Sequence, residues 1–168
     1  MNTVMLIRRH RACCPGSFSG LMALYEENWR LLQALAPTLP GLQGKLSSHA
    51  GEDCELHLDV LESTRYTRSL RLTYLFAVDN GVEADPDFLL RVYSDARQVE
   101  AVSCINEPRH AVLQQMIMEN NELDRRWRRN IILNKWLGYL LDTGHLFTGL
   151  PHGSEASEAC DRSRFDRC

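Results

Sequence analysis

The sequence predicts an α+β fold: a four-stranded antiparallel sheet with an N-terminal and a C-terminal helix packed on one face. Three observations carry this expectation. Apolar residues recur at helical spacing toward each end of the chain. Between those segments apolar and polar residues alternate, the pattern of strands with one buried face. The strand-like runs are joined by short polar connections, which suit antiparallel neighbours, whereas a parallel crossover takes about a dozen residues or more. A sheet with one apolar face, covered by two helices, buries everything these patterns offer.

The elements follow in order. Over residues 18–36, Phe18, Leu21, Met22, Tyr25, Trp29, Leu32 and Leu35 form a helical stripe, with Glu26, Glu27 and Arg30 off it. Ser17 is placed to cap this helix and Pro37 stops it. Pro40, Gly41, Gly44 and Gly51 mark an irregular connector to about residue 52. Cys54, Leu56, Leu58 and Val60 then alternate with Glu55, His57 and Asp59 as a first strand, and Leu70, Leu72, Tyr74, Phe76 and Val78 make a second. Residues 79–87 are dense in turn formers and lead into a third strand, Phe88 to Tyr93. Ser94 to Arg97 forms a tight turn, and a fourth strand runs from Gln98 to about Ile105. Val112, Leu113, Met116 and Ile117 indicate a short helix within 109–119. The last helix, 121–143, carries a stripe of Leu123, Trp127, Ile131, Leu137 and Leu141, widened by Leu133, Trp136 and Leu140. Asn120 or Asn121 caps its start and Gly144 closes its end.

Composition bounds the function. The 168 residues fit one domain, expected over 17–148, with 1–16 a loose extension and 149–168 a disordered, apolar-poor tail. Residues 1–14 read as an addition from an upstream start codon. With 19 Lys and Arg against 22 Asp and Glu, the net charge of −3 advertises neither a nucleic-acid nor a membrane partner for the whole molecule. No apolar run approaches the roughly 20 residues of a membrane span. Arg8, Arg9 and Arg11 follow Met5-Leu6-Ile7 rather than precede it, the wrong order for a signal peptide. A cytoplasmic location is expected. The six cysteines, at 13, 14, 54, 104, 160 and 168, contain no CxxC pair and read as two buried apolar residues and four incidental thiols. No metal and no cofactor is called for.

Several runs together resemble the YqiB-like family of uncharacterised proteobacterial proteins, a domain of unknown function. They are Leu21-Met22 with Tyr25-Glu26 and Asn28, the run Glu62-Ser63-Thr64-Arg65-Tyr66-Thr67, Arg91-Val92-Tyr93 with Asp95-Ala96, and Glu100-Ala101. Asn130, Leu133, Trp136-Leu137 and Gly144 complete the set, so the likeness covers about residues 18–146. Between 106 and 129 this chain departs from the family's Tyr- and Pro-rich link, carrying Met116, Met118 and an Arg-rich turn instead. The resemblance implies the fold, a bacterial cytoplasmic setting and the place of a site, and brings no activity with it.

Candidate site residues are Glu62, Arg65, Tyr66, Arg91, Tyr93, Asp95 and Asn130. Arg91, Tyr93 and Asp95 stand at i, i+2 and i+4, so on one strand they share a face. With the Glu62–Thr67 run alongside, two arginines, two tyrosines and two carboxylates meet on a patch suited to an anionic or carboxylate-bearing ligand. The alternative is a structural network in which Arg65 pairs with Asp95 and Arg91 with Glu62. Asn130, beside the buried stripe, reads as an amide that bonds a loop backbone or as a ligand residue. Arg125, Arg126, Arg128 and Arg129 around Trp127 offer an RNA- or phosphate-gripping face, opposed by Glu119, Glu122 and Asp124 nearby. His145 reads as a cation at a helix C-terminus. The leading expectation is a small cytosolic binding or adaptor module without catalysis. An enzyme acting on a small anionic or phosphorylated metabolite is the second, and RNA binding through the arginines the third. Expected partners are an unknown protein or small anionic ligand, and a homodimer formed through a sheet edge or the face of Leu75, Tyr93 and Val102.

Overall fold

The structure is a computed structural model that describes residues 16–79, 81–104 and 122–148, and the backbone alone at 160–161. The helix expected within 109–119 and most of the expected tail lie outside the described residues.

Ser17 sets the start of α1 (Phe18–Leu35). Its backbone is extended, and its hydroxyl accepts a hydrogen bond from the Gly20 amide at 3.1 Å, satisfying one of the unpaired first-turn donors. The helix ends at Leu35, two residues before Pro37. Its buried face is Leu21, Tyr25, Asn28, Leu32 and Leu35, whereas Phe18, expected on the stripe, is 68% exposed. A short 3-10 turn, Leu39–Gly41, follows.

The sheet is an antiparallel meander of five strands rather than four: β1 (Lys45–Ser48), β2 (Leu56–Ser63), β3 (Thr67–Val78), β4 (Gly81–Tyr93) and β5 (Gln98–Cys104), in that spatial order. A two-residue β6 (Cys160–Asp161) pairs in parallel with β3 at Phe76 and Ala77. Strand β1 was hidden by its own composition. It is short, it follows Gly41 and Gly44, and Leu46 is its one large apolar residue; Ser48, its second inward residue, is polar. The third expected strand also begins earlier, since β4 reaches back to Gly81 and pairs Val78 with Gly81 and Phe76 with Glu83. The turn formers of 79–87 serve two purposes. Those at the start make the β3–β4 hairpin, and Asp85 and Pro86 fill an irregularity between the pairs Thr73–Asp87 and Leu75–Ala84, where the missing proline N–H breaks no ladder bond.

Cross-strand rows build the core. Leu58, Leu72 and Phe88 form one, and Val60, Leu70, Leu90 and Ala101 the next. The helix α2 (Glu122–Thr143) closes over them with Leu133, Leu137 and Leu140. Trp136 stacks on Phe88 at 5.5 Å and meets Tyr74 edge-on at 5.4 Å. The α2 stripe differs from expectation: Ile131 and Ile132 are exposed (37% and 52%), while Asn130 is buried. A polar residue holds the inward position because its amide is fully used there, as described below, and this turns Ile131 to the flank. Leu75, Tyr93 and Val102 are half-buried. Cys54 is buried, as its place in a strand-like run indicated, but it is disulfide-bonded rather than a plain apolar core residue. No helix among the described residues is long and apolar enough to cross a membrane.

Candidate functional site

One end of the sheet is made by two turns that touch. Between β2 and β3, the Thr64 amide and hydroxyl both donate to the Thr67 carbonyl, at 2.9 and 3.0 Å, and the Thr67 amide donates to the Thr64 hydroxyl at 3.1 Å. The β4–β5 turn is tied to it by the Ser94 amide, which donates to the Tyr66 carbonyl at 2.8 Å. Arg97 completes that turn at φ +54°. The Thr64 hydroxyl therefore fixes the backbone of the Glu62–Thr67 run, and the charged members are left to the surface.

Register places the rest. Glu62 and Arg91 both partner Ser69, from opposite sides, so the three share one face of the sheet. Tyr93 lies on the same face opposite Thr67. Asp95 falls past the end of β4, in the turn, so it does not extend the i, i+2, i+4 series. Arg65 lies over the ring of its neighbour Tyr66, 5.0 Å from the centroid. Glu62, Arg65, Tyr66, Arg91 and Asp95 are exposed and Tyr93 is half-buried. Among the described residues, no ion pair joins Arg65 to Asp95 or Arg91 to Glu62. Asn130 stands apart, buried on α2.

Arg91 has a cross-strand acidic neighbour in Glu100, but that carboxylate is occupied elsewhere. Glu100 Oε1 accepts from the Tyr25 hydroxyl at 3.2 Å and from Arg126 Nη1 at 3.0 Å, and Oε2 accepts from the Tyr93 hydroxyl at 3.3 Å. One side chain thus links α1, α2, β4 and β5. Burial, then the Glu100 charge, pushes the Tyr25 phenol up to about 12. The Arg-rich start of α2 is largely paired. Arg125, Arg126 and Arg129 approach Glu122 at 3.4, 3.1 and 3.8 Å, and the bond to Glu122 holds Arg126 above its usual value. Trp127 is half-buried, its ring N–H donating to the Ser17 carbonyl at 3.1 Å.

Behind β5, three amides interlock. Asn130 Oδ1 accepts from the Ala101 amide at 2.8 Å and from Asn28 Nδ2 at 3.3 Å, and Asn130 Nδ2 donates to the Arg126 carbonyl at 2.8 Å. Asn134 Nδ2 donates to Asn28 Oδ1 at 3.0 Å. Asn130 therefore caps an amide of an edge strand and glues both helices to it.

A second constellation closes the other end of the core. His145, 2% exposed, follows Gly144 (φ +94°) in a Schellman ending: the His145 amide donates to the Leu140 carbonyl and the Gly144 amide to the Leu141 carbonyl. Its Nδ1 lies 3.3 Å from Ser48 Oγ and its Nε2 3.2 Å from Asp53 Oδ2, which also accepts from the Tyr74 hydroxyl at 2.9 Å. The Leu146 amide donates to Ser48 Oγ at 2.9 Å. Facing a carboxylate oxygen, Nε2 is the donor of the His145–Asp53 pair. His145 is thus an interior clasp rather than a solvent-facing cation. Burial, then the bond to Asp53, pushes the Tyr74 phenol up. Ser48 and His145 are both buried, so this Ser-His-Asp grouping holds the segment after α2 and offers a substrate no open side. Among the described residues, no group of three or more His, Cys, Asp or Glu is placed to hold a metal ion.

Over residues 31–146 the sequence matches the family described as protein of unknown function (DUF1249). The chain belongs to this family. No curated protein and no solved structure matches it. The DUF1249 match spans the five-stranded meander, both touching turns, Glu100, Asn130 and the His145 clasp.

Several residues of this DUF1249 chain that organise the site were not picked out from sequence. Arg68 donates through both terminal nitrogens to the Leu39 and Pro40 carbonyls, capping the 3-10 turn. Its signal is phase: it sits in the 68, 70, 72, 74 series of β3, the buried one. Glu100 carried no signal beyond its place in a matching run. Ser48 and Asp53 lie 97 and 92 positions from His145, a separation no local pattern spans.

Proposed function

We propose that this DUF1249 protein is a small, non-catalytic binding or adaptor module that grips an anionic or carboxylate-bearing group at the end of its sheet. The observation that carries this reading is the pair Arg65 and Arg91, exposed and without a carboxylate partner among the described residues, in a molecule that pairs Arg30, Arg71, Arg125 and Arg126. A guanidinium offers a planar fork of donors, the geometry that recognises carboxylate or phosphate by two parallel bonds. Absence of catalysis is supported by the closed Ser48–His145–Asp53 clasp. An RNA-gripping α2 finds less support, because ion pairs with Glu122 and Glu100 already engage three of its four arginines. A cytosolic setting and kinship with the YqiB-like proteins of proteobacteria belong to the same proposal. The Cys54 disulfide weighs against the cytosol, and cell fractionation tests it.

The test is an NMR titration of the full chain with acetate and with inorganic phosphate at constant ionic strength. The expected result is saturable shifts confined to residues 62–67 and 91–97, abolished in Arg65→Ala/Arg91→Ala. Shifts absent, or unchanged in that variant, would refute the reading.

A further inference from the structure

We propose that the ligand is a zwitterion of amino-acid type, one molecule carrying a carboxylate and a protonated amine. The inference rests on the anion-binding reading above and narrows it. On this surface three exposed guanidiniums outside any ion pair among the described residues, Arg65, Arg91 and Arg97, share the sheet end with two carboxylates. Glu62 and Arg91 flank Ser69 on one face, their Cα atoms two strand spacings apart, about 10 Å. Arg65 and Asp95 stand on the two turns joined by the Ser94–Tyr66 hydrogen bond. A simple anion drawn to the arginines faces two like charges, whereas a molecule with both signs satisfies each in turn.

Tyr93 sharpens the case. A phenol has one proton to donate, and Tyr93 gives its proton to Glu100 Oε2 at 3.3 Å. Toward a ligand it therefore offers only lone pairs, so it accepts from an ammonium and cannot donate to a carboxylate. Glu100 plays the reciprocal part. Its two oxygens bond Tyr25, Tyr93 and Arg126, and among the described residues no ion pair joins it to Arg91, its cross-strand neighbour. Together these contacts leave Arg65 and Arg91 as donors to the acid group, and Glu62, Asp95 and Tyr93 Oη as acceptors for the amine.

Four probes at pH 7 and fixed ionic strength test this by NMR on the full chain: acetate, ethylammonium, glycine and 4-aminobutyrate. One of the two zwitterions is expected to bind at least about tenfold more tightly than acetate, a difference well above titration error. In Glu62→Gln/Asp95→Asn, two exposed and conservative changes, that advantage is expected to vanish while acetate binding persists. Acetate binding as tightly as both zwitterions, or an advantage that survives the double variant, overturns the inference and leaves the anion reading standing. Shifts from none of the four probes overturn both.

Discussion

Replacing Asn130 by alanine isolates the contact that holds the helices to the sheet edge. The substitution removes the acceptor of the Ala101 amide outright and leaves Asn28 Nδ2 only its longer bond to the Asn130 carbonyl at 3.5 Å, and both residues are fully buried. Each orphaned buried donor costs about 1–3 kcal/mol. The Arg126 carbonyl loses only its side-chain partner, being within a helix. One full orphan and one weakened donor give about 2–4 kcal/mol, and with water admitted to the vacated space the expected value is about 3 kcal/mol. For a domain of this size that corresponds to a melting temperature lower by about 6–12 °C. Thermal and urea denaturation followed by circular dichroism measure it, and hydrogen exchange at the Ala101 amide localises it. Asn130→Asp, which keeps the acceptors but buries a charge and loses the donor to Arg126, is expected to be destabilised comparably. A loss below about 0.5 kcal/mol in both variants, with Ala101 still protected, refutes the reasoning. A ligand role for Asn130 makes the opposite demand, a stable variant that no longer binds.

Three further outcomes follow from other contacts. Asp87, 2% exposed, accepts two bonds from Arg71, at 2.8 and 2.6 Å, and Arg71→Ala strands its carboxylate. A fully buried pair broken this way costs about 3–5 kcal/mol, and the partial exposure of Arg71 draws the expected loss to about 2–3 kcal/mol by urea denaturation; no loss would show the pair to be idle. Burial pushes the His57 imidazole below its ordinary 6.5, against the opposing pull of the Glu55 and Asp59 charges. The unfolded chain then takes up a proton that the folded one resists, so the His57 contribution is intact above pH 6.5 and is lost as pH falls through that value toward the lower folded one. His57→Gln should flatten the decline of melting temperature from neutral pH toward pH 5, and an unchanged slope would count against it. For His145, long-range proton–nitrogen spectra should find a proton on Nε2, and a bare Nε2 would break the proposed clasp.

Much of the fold was legible because alternation and helical spacing report burial directly. Leu56, Leu58, Leu70, Leu72, Phe88, Leu90 and Val92 fall on the expected face. The misses are polar residues in inward positions. Ser48 concealed β1, and Asn130 displaced the α2 stripe from Ile131, because hydrogen-bond satisfaction rather than hydrophobicity earns those places in the interior. Asp85 and Pro86 masqueraded as a loop because a strand irregularity and a turn share the same residue preferences. At the site, the spacing of Arg91 and Tyr93 and the run Glu62–Thr67 identified residues that register does bring to one sheet end. Glu100 was the part out of reach: it joins Tyr93, 7 positions away, to Arg126, 26 positions away, and only the paired strands and the packed helix reveal that the two groups share one carboxylate.

Melting and anion titration performed on the same Arg65→Ala/Arg91→Ala sample test most directly whether those guanidiniums are kept for a ligand. With both side chains exposed and outside any ion pair among the described residues, the melting temperature should stay within about 2 °C of the parent while acetate and phosphate binding disappears. A melting temperature lower by about 8 °C or more would contradict the account, since it would mean that the two arginines hold the fold together.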